Sequence, residues 1–228
     1  MTAAWLLPVV PAIVCAASGG LVSLSLDPDK AAVTILLSYV LWGIGVGLAA
    51  IVLVIYFQRL VLHSLPPAGV IVSAFLPLGP LGQGSYGIMK LGEASREVFP
   101  LVFPHHPLLG ESFYGAGIFV GFIMWGFALW WAVLAISSVL NYMLIKRTMP
   151  FNIGWWGFTF PIGVYTSATL TLATYLDSTF LRILGTVYTV SLLLLWVMVM
   201  LLTLSHTWSG RLLYAPCLNS TFRTAKSQ

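Results

Sequence analysis

Charge is what this sequence has least of. Lysine, arginine, aspartate and glutamate make up 7% of its 228 residues, against roughly 25% in a soluble domain. A water-solvated globule is therefore excluded. The ten Lys and Arg residues are scattered and form no basic patch, which removes nucleic acid from the candidate partners. Cysteine is scarce too: Cys15 lies in an apolar run and Cys217 near the end, with no redox or metal-ligand spacing. The cores of the apolar runs carry no Asp, Glu, Lys or Arg and no cluster of His or Cys. With nothing at that depth to perform chemistry, no enzyme activity, cofactor or metal is expected. The opening stretch MTAAWLLPVV has no basic n-region, so the first apolar run reads as a retained span and not as a cleaved signal.

What the sequence has instead is hydrophobic residues, 59% of the chain. A helix needs about 20 mainly apolar residues to cross a bilayer, and six runs reach that length, at about 3–26, 31–57, 68–91, 112–144, 153–176 and 179–205. The expected fold is an all-α integral membrane protein of six transmembrane helices arranged as three tandem hairpins. It comprises a transmembrane domain over 1–210 and a tail over 211–228. DPDK (27–30) and DS (177–178) are tight connections, whereas 93–111 reads as a longer polar, Pro-rich loop.

The charges sort by side. Arg59, Lys146, Arg147, Arg211, Arg223 and Lys226 share one side with no acid. All six acids, Asp27, Asp29, Glu93, Glu97, Glu111 and Asp177, fall on the other side with Lys30, Lys90, Arg96 and Arg182. The positive-inside rule makes the first side cytoplasmic, with both termini. The Asn219-Ser220-Thr221 sequon then faces the cytoplasm. His105 and His106 stand together in the outer loop without Cys or spaced carboxylate partners, and His63 and His206 lie near the inner interface.

Proline is placed in a pattern. The odd spans read LLPVVP (6–11), FLPLGP (75–80) and TFPIGV (159–164), while the even spans hold no internal proline. Leu7-Pro8, Leu76-Pro77 and Phe160-Pro161 are thus equivalent positions in a threefold repeat. Proline removes a backbone donor and breaks a helix. In hydrocarbon such a break survives only where protein or a wet cavity covers it. Broken helices turn their positive N-terminal ends towards a shared centre, which suits a small anion passing along a neutral path. In PLGPLGQGSYG (77–87), Gln83, Ser85 and Tyr86 offer neutral hydrogen bonds, and the glycines permit close helix packing. Thr159 and Thr166 face either the path or a carbonyl of the preceding turn. Trp155 and Trp156 read as interfacial anchors. Lys90, Glu93, Arg96 and Glu97 form either a local cap network or an anion-attracting exit.

Three stretches together, NIGWWGFTFPIG (152–163), PLGPLGQGSYGIMKLG (77–92) and WLLPVVP (5–11), resemble the tellurite-resistance/dicarboxylate transporter family. That family includes slow anion channels of plant guard cells, yeast malate permeases and fungal sulfite efflux pumps. PLGPLGQGSYG is most similar to the sulfite pumps. The resemblance implies a fold of five hairpins whose proline-kinked inner helices line a pore, commonly in trimers. This chain corresponds to the last six of ten helices. The resemblance also implies a pore and gate set of Phe160, Pro161, Thr159, Pro8, Leu7, Pro77, Leu76, Gln83 and Ser85, with Phe160 as the gate. The expected function is plasma-membrane export of sulfite or bisulfite. Malate or another C4-dicarboxylate is the alternative substrate, and a truncated, non-transporting paralogue is the alternative role.

Overall fold

The computed structural model describes residues 3–62, 68–146 and 151–210. Every regular element among them is a helix: α1 (Val10–Ser23), α2 (Pro28–Leu62), α3 (Leu78–Val102), α4 (Leu109–Lys146), α5 (Thr159–Tyr175) and α6 (Thr179–Trp208). Each odd-numbered helix is preceded by a short 3-10 segment, at Ala3–Leu6, Ala68–Phe75 and Ile153–Phe158. The tail with Cys217, Arg211, Arg223, Lys226 and the sequon lies outside the described residues, as do His63 and Arg147.

The hairpin connections are built by local chemistry. Pro28 opens α2 at a position where a missing N–H costs nothing, and the Asp27 carbonyl accepts from the Ala31 amide at 2.8 Å. Between α5 and α6, Asp177 adopts the left-handed conformation at φ 47°. The Ser178 amide reaches back to the Ala173 carbonyl at 3.1 Å, which closes the helix end. The Ser178 side chain then accepts from the Leu181 amide and caps α6.

The inner helices α1, α3 and α5 stand side by side with α3 in the middle. α2 covers α1 and α3, α4 covers α3 and α5, and α6 covers α5. Four segments, Ala3–Ser23, Pro28–Leu62, Leu109–Ile145 and Thr179–Trp208, are long and apolar enough to cross a membrane. Outward-facing residues such as Leu37, Val40, Ile51 and Val54 of α2, or Leu193, Leu194 and Leu201 of α6, are exposed. Together they form an apolar surface far larger than a water-soluble monomer tolerates. The chain is a multi-pass membrane protein.

Six α-helices form three hairpins; among the described residues α3 and α5 fall short of the combined length and apolarity that the other four segments have. α3 carries Lys90, Glu93, Arg96 and Glu97, and α5 has 17 residues. Both are sheltered inside the bundle, where contact with neighbouring helices replaces contact with lipid and strict apolarity is not required. The expected 93–111 loop is corrected. α3 runs through Pro100 to Val102, leaving only 103–108 as connection. The extension holds because Ala94, Val98 and Phe99 recur on one helix face and bury against Ala31, Ala32 and Ile35 of α2. Phe99 also meets the Phe113 ring edge-on at 5.3 Å.

The expected prolines stand where a 3-10 segment gives way to an α-helix, with Pro8 in the turn between Ala3–Leu6 and α1. Pro11 is in the first turn of α1, Pro77 immediately precedes α3, and Pro161 is in the first turn of α5. In those places the absent N–H has no intrahelical partner to lose.

α3 and α4 approach closely through glycine. A Cβ on Gly117 would lie 2.7 Å from the Ile88 carbonyl oxygen, and one on Gly92 would lie 2.9 Å from that of Phe113. Gly115, two residues from Gly117, has nothing within 4 Å of its Cβ position. Gly117→Leu is therefore expected to lower stability by about 1–3 kcal/mol or more through overpacking. Gly115→Leu leaves the thermal midpoint of the purified protein, followed by tryptophan fluorescence, near wild type.

Candidate functional site

The three 3-10-to-α junctions converge. A cavity of about 440 Å³ is lined by Leu6, Leu7, Val10, Pro11, Val14 and Cys15 from the first repeat, by Leu76 and Gly79 from the second, and by Phe160 and Pro161 from the third. The equivalent positions Leu7, Leu76 and Phe160 thus face one space. None of the three helices that begin there, α1, α3 and α5, is capped by a side chain; backbone bonds to the preceding turn, such as Val9 N–H to the Leu6 carbonyl and Gly79 N–H to the Leu76 carbonyl, link them to their 3-10 segments.

Phe160 is 44% exposed, its ring bare to this space. A Cβ on Gly79 would meet the ring at 3.5 Å, an ordinary van der Waals contact, so Phe160 packs over α3 at this glycine. On its other side Phe160 borders a second cavity, of about 450 Å³, with Thr159 and the α6 residues Thr189, Leu192, Leu193 and Trp196. Phe160 thus lines both spaces.

The remaining candidates are distributed more widely. Pro8 is exposed and Pro77 is buried at the start of α3; neither lines the central cavity. Gln83 is 7% exposed and Ser85 fully buried. The Ser85 hydroxyl donates to the Gly121 carbonyl of α4 at 2.7 Å, so Ser85 joins two helices. Thr159 donates to the Trp156 carbonyl and Thr166 to the Ile162 carbonyl, both at 2.8 Å. Both hydroxyls are satisfied within their own chain turn. The Trp156 indole donates to Thr203 of α6 at 3.1 Å, and Trp155 packs against Phe158. Trp125 of α4 donates to Thr169 of α5, and Trp42 of α2 to the Gly84 carbonyl of α3, each at 2.9 Å. These bonds tie the outer helices to the inner ones.

Sequence reasoning missed Val10, Pro11, Val14 and Cys15 as cavity residues. The signal was present, since Pro11 and Val14 follow Leu7 at helical spacing. It also missed Tyr175, whose hydroxyl donates to Glu93 Oε2 at 2.6 Å across 82 residues of sequence. No local pattern announces such a pair. Lys90 Nζ lies 2.7 Å from the same oxygen. His105 and His106 sit in the short 103–108 connection. Among the described residues no group of three or more His, Cys, Asp and Glu is disposed to hold a metal.

Residues 1–204 match the SLAC1 family, described as voltage-dependent anion channel. The chain belongs to that family. It is 47% identical over 224 residues to the sulfite efflux pump SSU1 of Arthroderma benhamiae, covering 98% of this chain and 56% of the relative. It is 50% identical over 204 residues to SSU1 of Arthroderma otae, covering 89% and 53%. A more distant match is the malic acid transport protein of Schizosaccharomyces pombe, 21% identical over 200 residues and covering 87% and 45%. The chain thus spans about half the length of the curated relatives it matches. No solved structure matches it.

Replacing Ser85 by Ala leaves the buried Gly121 carbonyl without its side-chain donor. The expected result is a loss of about 1–2 kcal/mol in stability, read as a lower thermal midpoint in detergent, with anion handling unchanged at equal folded abundance.

Proposed function

We propose that this chain contributes to a membrane path for a small inorganic anion, with sulfite or bisulfite as the substrate, and that Phe160 closes the path. The observation that carries the reading is the meeting of Leu7, Leu76 and Phe160, one from each repeat, on a single cavity bordered by three uncapped helix N-termini. An anion gains there from the dipole ends without a full charge at mid-depth, which costs about 2.5–3.5 kcal/mol or more. Membership of an anion-channel family and the names of the fungal relatives support sulfite over other anions. In this reading α3 and α5 cross the membrane together with their 3-10 segments. The chain resides in the plasma membrane with both termini cytoplasmic, and it assembles as a homo-oligomer in lipid. It is a transporter and not an enzyme, and its cargo is an anion and not a bound cofactor.

Phe160 acts by volume. Its ring packs over Gly79 and borders both cavities, so removing the ring widens the space there. Expressed in sulfite-sensitive cells, the chain is expected to confer sulfite tolerance. Phe160→Ala is expected to raise efflux on the order of tenfold at equal membrane abundance, since ~1.4 kcal/mol of barrier is one decade in rate. Stable insertion without tolerance in either form sinks the sulfite reading. Malate uptake without sulfite efflux reassigns the substrate to the dicarboxylates.

A further inference from the structure

One face of α3 is left partly uncovered by its neighbours. Gly79 lines the central cavity, and steps of four, three, four and three residues place Gln83, Tyr86, Lys90 and Glu93 on the same face. From Tyr86 onward burial follows that spacing: Tyr86, Lys90 and Glu93 are half-buried, while residues 87–89, 91–92 and 94–95, like Gly79 and Gln83, are buried. The stripe leads away from the apolar cavity and passes from neutral polar groups to charged ones.

Tyr175, the last residue of α5, meets its charged end. Lys90 Nζ donates to Glu93 Oε2 at 2.7 Å, the Tyr175 hydroxyl donates to the same oxygen at 2.6 Å, and Lys90 Nζ lies 3.4 Å from the Tyr175 oxygen. The side chains of Lys90 and Glu93 are 22% and 26% exposed, so both ions are largely stripped of water yet still reachable. Arg96, one turn beyond Glu93, lies 4.1 Å over the Tyr114 ring, and Tyr114 meets Tyr175 edge-on at 5.4 Å. Glu97 is exposed further out. The centre therefore holds two cations and one carboxylate that takes both the ammonium and the phenol on a single oxygen.

Such a pair is a poor device for stability alone, because desolvating two ions offsets much of their attraction. The geometry points instead to an exchange site for a small oxyanion: the anion displaces the Glu93 carboxylate from Lys90 and takes over the Tyr175 hydroxyl. Lysine suits this role, as its compact ammonium swings three donors from one acceptor to another. Glu93, tethered one turn away, neutralises Lys90 when the site is empty and competes with the anion when it is filled. That competition keeps binding weak enough for release, as a permeation site requires. The inference rests on the reading that the inner helices line an anion path, and it adds to it one charged station distinct from the Phe160 constriction.

Equilibrium binding of sulfite to the purified full chain in detergent, measured by calorimetry, tests the site without relying on flux. Glu93→Gln is expected to tighten sulfite binding about tenfold by removing the charged competitor while keeping the side-chain shape. Lys90→Met abolishes binding, and in the Lys90→Met background Glu93→Gln gives no gain. Tyr175→Phe weakens binding several-fold. Unchanged or weaker binding in Glu93→Gln, or wild-type binding in Lys90→Met, overturns the site, as does the absence of binding in both wild type and Glu93→Gln. Should Lys90→Met fail to give a monodisperse protein, Lys90→Gln carries the same expectation. Sulfite efflux measured in parallel separates the two readings. Efflux with no Lys90-dependent binding removes this site alone, whereas Lys90-dependent binding without efflux removes the transport reading and keeps the site.

Discussion

Glycine lets three helices reach the backbone of α3, and the rest of the bundle is arranged around those contacts. A Cβ on Gly82 would stand 2.9 Å from the Tyr165 amide nitrogen of α5, and one on Gly117 of α4 2.7 Å from the Ile88 carbonyl. From α1, a Cβ on Gly20 would stand 3.3 Å from the Leu91 nitrogen. In a bilayer no solvent drives helices together, so this closeness of approach supplies dispersion contacts that longer side chains would prevent. Because α3 is gripped by three helices and capped at its far end by α2, it can hold charged residues within the bundle. It is the element least like a lipid-facing span and the one that carries the polar stripe.

The same shelter explains the broken helices. A 3-10 segment followed by an α-helix leaves backbone groups that hydrocarbon cannot satisfy. The three breaks lie against one another and a shared cavity, with Pro11, Pro77 and Pro161 placed where their missing N–H groups cost least. The first repeat contributes several apolar residues to the cavity, the second Leu76, and the third the planar ring of Phe160, which also borders a second space against α6. The ring's position and the Lys90–Glu93–Tyr175 centre lie at opposite ends of the uncovered face of α3.

Much of this was legible in the sequence. The helix starts at Thr179 and near Leu109 and Pro28 follow from apolar run length and local caps, and the threefold recurrence of a large apolar residue before proline singled out Leu7, Leu76 and Phe160. The extension of α3 was illegible because Glu93, Arg96 and Glu97 mask an apolar face formed by Ala94, Val98 and Phe99, and that face has meaning only against Ala31 and Ile35. The partner of Ser85 was illegible for a related reason. A hydroxyl in a glycine-rich stretch announces no acceptor, and only the packing of α4 on α3 brings the Gly121 carbonyl to it.

Sequence alone determined that the chain is helical, belongs in a membrane and is built from three repeats, because hydropathy, charge asymmetry and proline spacing are local quantities. Only the tertiary structure decided which candidates share a space. Leu7, Leu76 and Phe160 meet across more than 150 residues of chain, Ser85 turns to α4, and Tyr175 closes on Glu93. Those outcomes depend on how near two backbones come, and that distance is set by which glycine faces which carbonyl across a helix pair.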